Sequence, residues 1–219
     1  MQREFWLERW RRNEIGWHQS EVNPWLAGRW SQLGIPAERA VFVPLCGKSL
    51  DMRWLHKQGH PVIGVELSEA AVTAYFEEAE EVYRIDQEQY FRKHVGVSAT
   101  IYCGDFMDLT ARELKNVGGV FDRGALVALP PAMRAYYADH LLRILPDRAR
   151  ILLVTLEYDQ NLVAGPPHAV SPVEVESLFS GRCSVERLAC ERTSRLPAKF
   201  AEAGVDEVVE AVYAVTKQR

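Results

Sequence analysis

Beyond residue 39 the apolar positions fall into two rhythms. Compact apolar runs at 40–44 (Ala-Val-Phe-Val-Pro), 61–66, 99–103, 119–122 and 150–156 read as buried strands. Longer stretches between them, at 49–58 and 133–145, carry the helical period. A further helix follows Ser68, which can cap it, with Glu69 placed in the first turn where the helix dipole favours an acid. The end of the chain changes character: 184–190 and 207–216 read as two strands suited to an antiparallel pair. Strand–helix alternation predicts parallel crossover units and a sheet covered on both faces. The expected fold is therefore α/β, a doubly wound, mostly parallel, seven-stranded sheet. Ligands of such open sheets sit beyond the carboxyl ends of the strands. That places the expected chemistry near 44–49, Glu66, 103–106 and 122–125.

Residues 1–34 stand apart, because five of the six tryptophans (Trp6, Trp10, Trp17, Trp25, Trp30) lie there. Phe5, Trp6 and Trp10 form an apolar stripe at helical spacing, with Glu4, Glu8, Arg9, Arg11 and Arg12 on the wet side. No repeat, low-complexity tract or linker interrupts the rest. The reading is one domain, 1–219, with an N-terminal extension.

The 219 residues are 47% hydrophobic and 26% charged, with a formal charge of −4, which excludes a disordered or collagen-like chain. The mild acidic excess argues against nucleic acid as the main partner. No apolar run approaches the roughly 18 residues of a membrane span, and the N-terminus lacks the apolar core of a secretory signal. Cys46, Cys103, Cys183 and Cys190 show no CxxC spacing. They read as reduced thiols of a cytoplasmic protein, with neither a disulfide frame nor a metal site.

Four loops could carry chemistry. The first strand runs into Pro44-Leu45-Cys46-Gly47-Lys48-Ser49. Gly-Lys-Ser looks like the end of a phosphate-binding loop, but that motif needs a glycine five positions before Gly47, where Phe42 stands. A dinucleotide GxGxxG is absent too. The single Gly47 makes a tight turn that suits a smaller, less anionic ligand, or is a plain turn with a helix cap. Glu66 ends the second strand 19 residues after Gly47, the place of an acid that accepts from the ribose hydroxyls of an adenosine ligand. After the third strand, Asp105 could accept from an adenine amine while Phe106 packs on the ring, or both could serve a turn. After the fourth, Gly124 lets backbone approach a bound molecule. Arg123 is an unusual residue beside a buried strand end, either functional or paired with a nearby acid. Together these ends describe a site for a nucleoside with a small polar tail, which S-adenosylmethionine fits better than NAD or ATP.

The stretches Val43-Pro44-Leu45-Cys46-Gly47-Lys48, Gly64-Val65-Glu66, Phe121-Asp122-Arg123-Gly124-Ala125-Leu126-Val127-Ala128 and Gly165-Pro166-Pro167 resemble the thiopurine S-methyltransferases. Trp6-Leu7-Glu8-Arg9-Trp10 and Trp17-His18-Gln19 resemble that family's lid, and the similarity runs from about residue 6 to the last strand. The resemblance implies a class I methyltransferase fold, a lid formed by 1–34, and S-adenosylmethionine as cofactor. It implies that Trp10, Leu45, Glu66 and Arg123 bind that cofactor, with Gly47, Asp105 and Phe106 completing its site. Trp10 and Leu45 would give apolar contact and Glu66 the ribose bond. Trp17 and His18 would face the acceptor, with Trp17 where animal members often carry Phe. Near Lys199-Phe200-Ala201, relatives can carry an arginine that lysine does not replace as a bidentate donor.

The implied reaction is methyl transfer to the sulfur of an aromatic or heterocyclic thiol such as a thiopurine, with selenium or tellurium species as further acceptors. An aromatic thiol is largely anionic or thione-like near neutrality, so positioning and exclusion of water would carry the catalysis. Arg123 is the expected catalytic residue, stabilising the thiolate rather than acting as a base. His18 and His168 are titratable candidates for proton removal. The expected state is a monomer with a small-molecule acceptor. Two other classes stay open: a nicotinamide-dependent oxidoreductase, which needs a multi-glycine first loop, and a non-catalytic binder of an adenosine ligand.

Overall fold

The computed structural model describes residues 3–193 and 198–218. Two helices open the chain, α1 (Arg3–Arg11) and α2 (Pro24–Arg29). Asn23 caps α2 by accepting from the amides of Trp25 and Leu26 at 3.0 and 3.3 Å, and Pro24 occupies the first turn, where no amide is needed. There follow β1 (Ala40–Val43), α3 (Leu50–Lys57), β2 (Val62–Glu66) and α4 (Glu69–Glu77). Ser49 caps α3, and Ser68 caps α4 as its sequence position predicts. A hairpin of β3 (Arg84–Gln87) and β4 (Arg92–Val95) leads to β5 (Thr100–Cys103) and β6 (Val117–Arg123). The chain closes with α5 (Pro131–Ile144), β7 (Arg150–Glu157), α6 (Pro172–Phe179), β8 (Cys183–Thr193), α7 (Ala198–Glu202) and β9 (Val208–Lys217).

Among the described residues, nine strands form one sheet in the order β3-β4-β5-β2-β1-β6-β7-β9-β8. The central five are parallel. Both flanks are antiparallel, so β9 inserts between β7 and β8 and the C-terminal pair is antiparallel as expected. The α/β fold class stands; the sheet is larger than the seven strands expected because of the β3–β4 hairpin. Its sequences, Arg-Ile-Asp-Gln and Arg-Lys-His-Val, carry charges on both faces, as edge strands do. Nothing in their own apolar pattern marks them; pairing of β4 with β5 creates them.

Alternation along the central strands divides the core. Phe42, Ile151 and Leu153 face α5 and α6, whereas Val41, Val43, Leu152 and Val154 face the side of α2, α3 and α4. Leu26 and Trp30, on and just after α2, are buried in that second cluster. Trp30 donates from Nε1 to His60 Nε2 at 3.0 Å, so His60 donates from Nδ1 to the Arg39 carbonyl. The N-terminal extension therefore splits physically: its second half is core, while α1 buries no residue fully. All four cysteines are unpaired. Among the described residues no helix is long and apolar enough to cross a membrane.

Candidate active site

The strand order reverses between β1 and β6, and beyond the carboxyl ends of these strands lies a cavity of about 930 Å³. The residues expected to bind cofactor or acceptor all line it: Trp10, Trp17 and His18 from the N-terminal segment, Leu45 and Gly47 from the first loop, Glu66, Asp105, Phe106 and Arg123. Sequence separation had hidden how close these groups come, but strand ends in a parallel sheet converge by construction.

The turn after β1 is strained. Leu45 has φ +48° and Gly47 φ +53°. A bulky residue in the left-handed region is uncommon and persists where surrounding structure enforces it. Here the Cys46 amide donates to the Val65 carbonyl at 2.9 Å, tying the turn to β2. The Gly47 amide donates to Glu66 Oε2 at 2.9 Å, and the Ser68 amide donates to Glu66 Oε1 at 2.7 Å. Glu66 is buried, and burial pushes its pKa up while the amides of Ser68, Gly47 and Leu67 oppose that shift. A carboxylate has about four acceptor positions, so Glu66, which lines the cavity, keeps capacity to accept a further bond. Trp10 closes the turn from above: a methyl at Gly47 would lie 3.0 Å from its Cζ2.

Trp10 belongs to an aromatic cap. Trp17 meets Trp6 and Trp10 edge-to-face, with ring centroids 5.1 and 6.0 Å apart, and Phe5 abuts Trp6 at 5.2 Å. Edge-to-face packing of this kind adds to simple burial.

Beyond the end of β5, Asp105 Oδ1 accepts from the Met107 amide at 2.9 Å, so one oxygen caps the turn Phe106–Asp108. Phe106 is mainly a core ring, stacked near Phe42 and packed against Tyr137 and His140, with only an edge at the cavity. At the end of β6, Asp122 is fully buried behind the wall. Its Oδ1 accepts from the Leu126 amide at 3.1 Å and its Oδ2 from the Tyr137 hydroxyl at 2.7 Å. Burial pushes its pKa up to about 6. This carboxylate shapes the loop that presents Arg123 and Gly124. Gly124 has φ +97° and open space where a side chain would stand, so its backbone faces the cavity bare.

Arg123 donates from Nη1 to the Trp17 carbonyl at 3.2 Å. Desolvation lowers its pKa, and Asp51 and then Glu210 counteract this. Both acids line the cavity. Neither was singled out from the sequence, where Asp51 is an ordinary first-turn acid of α3 and Glu210 one residue of a C-terminal strand. His18 lines the cavity, and burial, followed by the charge of Lys48, lowers its pKa. His168 does not line it. Its ring packs against Gly165, and its amide donates to the Val127 carbonyl at 2.7 Å, fixing Gly165-Pro166-Pro167 as the cavity wall. Lys199 lines the far side and donates to the Pro166 carbonyl. Among the described residues no group of three or more His, Cys, Asp or Glu is disposed to hold a metal ion.

Residues 1–218 match the family model described as Thiopurine S-methyltransferase (TPMT). The chain is 45% identical over 215 residues to "Thiopurine S-methyltransferase" of Pseudomonas fluorescens (strain Pf0-1), spanning 98% of this chain and 99% of that protein. It is 44% identical over 218 residues to the protein of that name from Azotobacter vinelandii, with both chains covered in full. Among solved structures, the Burkholderia thailandensis 1,6-didemethyltoxoflavin-N1-methyltransferase with bound S-adenosylhomocysteine superposes with TM-score 0.65 at 18% identity, over 99% of this chain and 87% of that one. The N-methyltransferase NodS from Bradyrhizobium japonicum WM9 gives TM-score 0.64 at 12% identity, over 99% of each chain. These two likenesses carry the fold.

Proposed function

Because the chain belongs to the thiopurine S-methyltransferase family, we propose that it transfers a methyl group from S-adenosylmethionine to the sulfur of aromatic and heterocyclic thiols, thiopurines among them, and to selenium or tellurium species. The observation that carries the reading is Glu66, a buried carboxylate pinned by the Gly47 and Ser68 amides with acceptor capacity left towards a cavity capped by indoles. The donor set fits the cofactor: one carboxylate suits a ribose diol, a single-glycine turn leaves no cradle for several phosphates, and indole faces suit a cationic sulfonium. When bound, S-adenosylmethionine supplies an activated methyl group on a positively charged sulfur. Glu66 would hold the ribose, Leu45 and Trp10 the apolar flanks, and Asp105 and the edge of Phe106 the adenine end.

The chain's own residues then position and protect. Arg123 places guanidinium donors at the inner wall, where they stabilise a thiolate; its charge persists at every working pH, so it serves no base role. The cap of Trp6, Trp10 and Trp17 excludes water, which strengthens that electrostatic contact. Residues 3–21 act as the lid of a single catalytic domain, and residues 22–34 as its rooted base. The protein works as a monomer in a reducing, cytoplasmic setting. The oxidoreductase and the non-catalytic binder lose support from the family match over the whole chain.

A screen of thiols, thiopurines, selenite and amines with labelled S-adenosylmethionine tests the reading. Label on sulfur or selenium is expected, and transfer to nitrogen alone overturns it. Arg123→Lys removes the planar fork and is expected to lower turnover by about tenfold or more while changing affinity for S-adenosylhomocysteine less. The reverse pattern would make Arg123 a cofactor anchor.

A further inference from the structure

The cavity has two sides about the point where the strand order reverses. On one side Glu66 ends β2 and Asp105 follows β5. On the other, beyond β6, are Leu156 of β7, the wall Gly165-Pro166-Pro167, and Lys199 and Phe200 of α7. With the adenosine end on Glu66 and Asp105, the second side is left for the acceptor. Its wall belongs to the segment 158–171, which joins β7 to α6 without helix or strand of its own. Connections of that length in a compact domain usually serve function.

Two side chains behind the wall brace it. The Tyr158 hydroxyl donates to the Pro167 carbonyl at 2.6 Å, and its ring packs edge-to-face on Phe200 with centroids 5.1 Å apart. Gln160 gathers three further groups. Its Nε2 donates to the Tyr158 hydroxyl at 3.1 Å and to the Val163 carbonyl, and its Oε1 accepts from the Ala169 amide at 2.7 Å. One side-chain amide thus ties the start, middle and end of the segment together, using its donor and its acceptor end at once. Val163 is buried with Phe200, Val205 and Val208 in a small cluster apart from the two large ones. Segments outside the main core open at low free energy unless such bonds tie them. Neither Tyr158 nor Gln160 lines the cavity, whereas Pro167, Phe200 and Val208 do.

We infer that Gln160, working through Tyr158, is a positioning residue for the acceptor, fixing Gly165-Pro166-Pro167 as a rigid wall against which a flat ring is held. The inference rests on the proposed methyl transfer and adds to it a residue outside the cavity lining.

Steady-state kinetics with a 6-thiopurine and with thiophenol on Q160L and Q160E, alongside calorimetry with S-adenosylhomocysteine, test it. Leu fills similar space without any of the three bonds; Glu keeps an acceptor for the Ala169 amide but loses both donors. In each variant the KM for the 6-thiopurine is expected to rise about fivefold or more, with kcat and affinity for S-adenosylhomocysteine within about twofold. The KM for thiophenol should move by less than about twofold, because a single ring with its sulfur at the methyl donor ends short of the wall that a fused double ring reaches. A merely structural Gln160 would instead lower Tm and the active fraction and leave both KM values alone. Should Q160L not fold, Q160E decides alone. An unchanged KM for the thiopurine, an equal rise for both acceptors, or a parallel loss of cofactor affinity overturns the inference. An unsubstituted protein that methylates no thiol overturns the proposed function and this inference together; an active one whose variants keep ordinary KM values overturns the inference alone.

Discussion

Replacing Glu66 by Gln is expected to raise the dissociation constant for S-adenosylhomocysteine by about a hundredfold and to lower the melting temperature of the ligand-free protein. The change is nearly isosteric, so its effect is chemical. One carboxylate oxygen accepts from the Gly47 amide and the other from the Ser68 amide, at 2.9 and 2.7 Å. An amide group offers one acceptor and one donor, so whichever way it turns, its NH₂ confronts a buried backbone N–H. The unsatisfied amide belongs either to the strained turn under Trp10 or to the first turn of α4. Loss of the charge-assisted bonds proposed to a ribose adds to this. Calorimetry and thermal melts separate the two parts: an unchanged dissociation constant with a lowered Tm would leave Glu66 purely structural.

The second large effect concerns Asp122 and has a definite sign with pH. Burial pushes its pKa from an ordinary 3.8 up to about 6. The folded state thus binds this proton more tightly than the unfolded chain, so the contribution to stability is complete below about pH 4 and is lost as pH rises through about 6, amounting to about 3 kcal/mol. Asp122→Asn removes the titration yet can still accept from the Leu126 amide and donate to the Tyr137 oxygen. The difference in unfolding free energy between the unsubstituted protein and this variant should therefore slope between about pH 4 and 7 and be flat outside that window. Asp122→Ala leaves the Leu126 amide and the Tyr137 hydroxyl without their partner and should cost about 3 kcal/mol at the acid end of that window. Urea unfolding at several pH values checks both; parallel curves for the unsubstituted protein and the Asp122→Asn variant would contradict the buried titration.

These two carboxylates differ in how far the sequence reveals them. Glu66 is legible because its spacing from Gly47 reflects a βαβ unit of ordinary length, and the strand end that carries it follows from a run of buried apolar residues. Asp122 lies inside a recognisable motif, but its partner Tyr137 stands on α5, and only packing brings the hydroxyl under the β6 end. Asp105 and Phe106 show the limit of local reading. One oxygen of the acid serves its own turn, and most of the ring serves the core, because a strand end must satisfy its backbone before it can spare a side chain. The hairpin β3–β4 had no apolar signature: β3 is an edge strand and faces water, and β4 carries Arg92, Lys93 and His94 and is defined by the two strands it pairs with.

The apolar rhythm of the chain by itself determined the alternation of strands and helices, hence a parallel central sheet, the end of it where the cavity lies, and four loops that line that cavity. It did so because burial on both faces leaves continuous apolar runs and caps leave polar punctuation. Tertiary structure alone decided that Asp51 and Glu210 line the same cavity as Arg123, that 22–34 is rooted in the core while α1 lies over the cavity, and that His168 is not part of its lining. Those facts depend on distances between residues far apart in sequence, which the packing of the closed fold sets and no local pattern encodes.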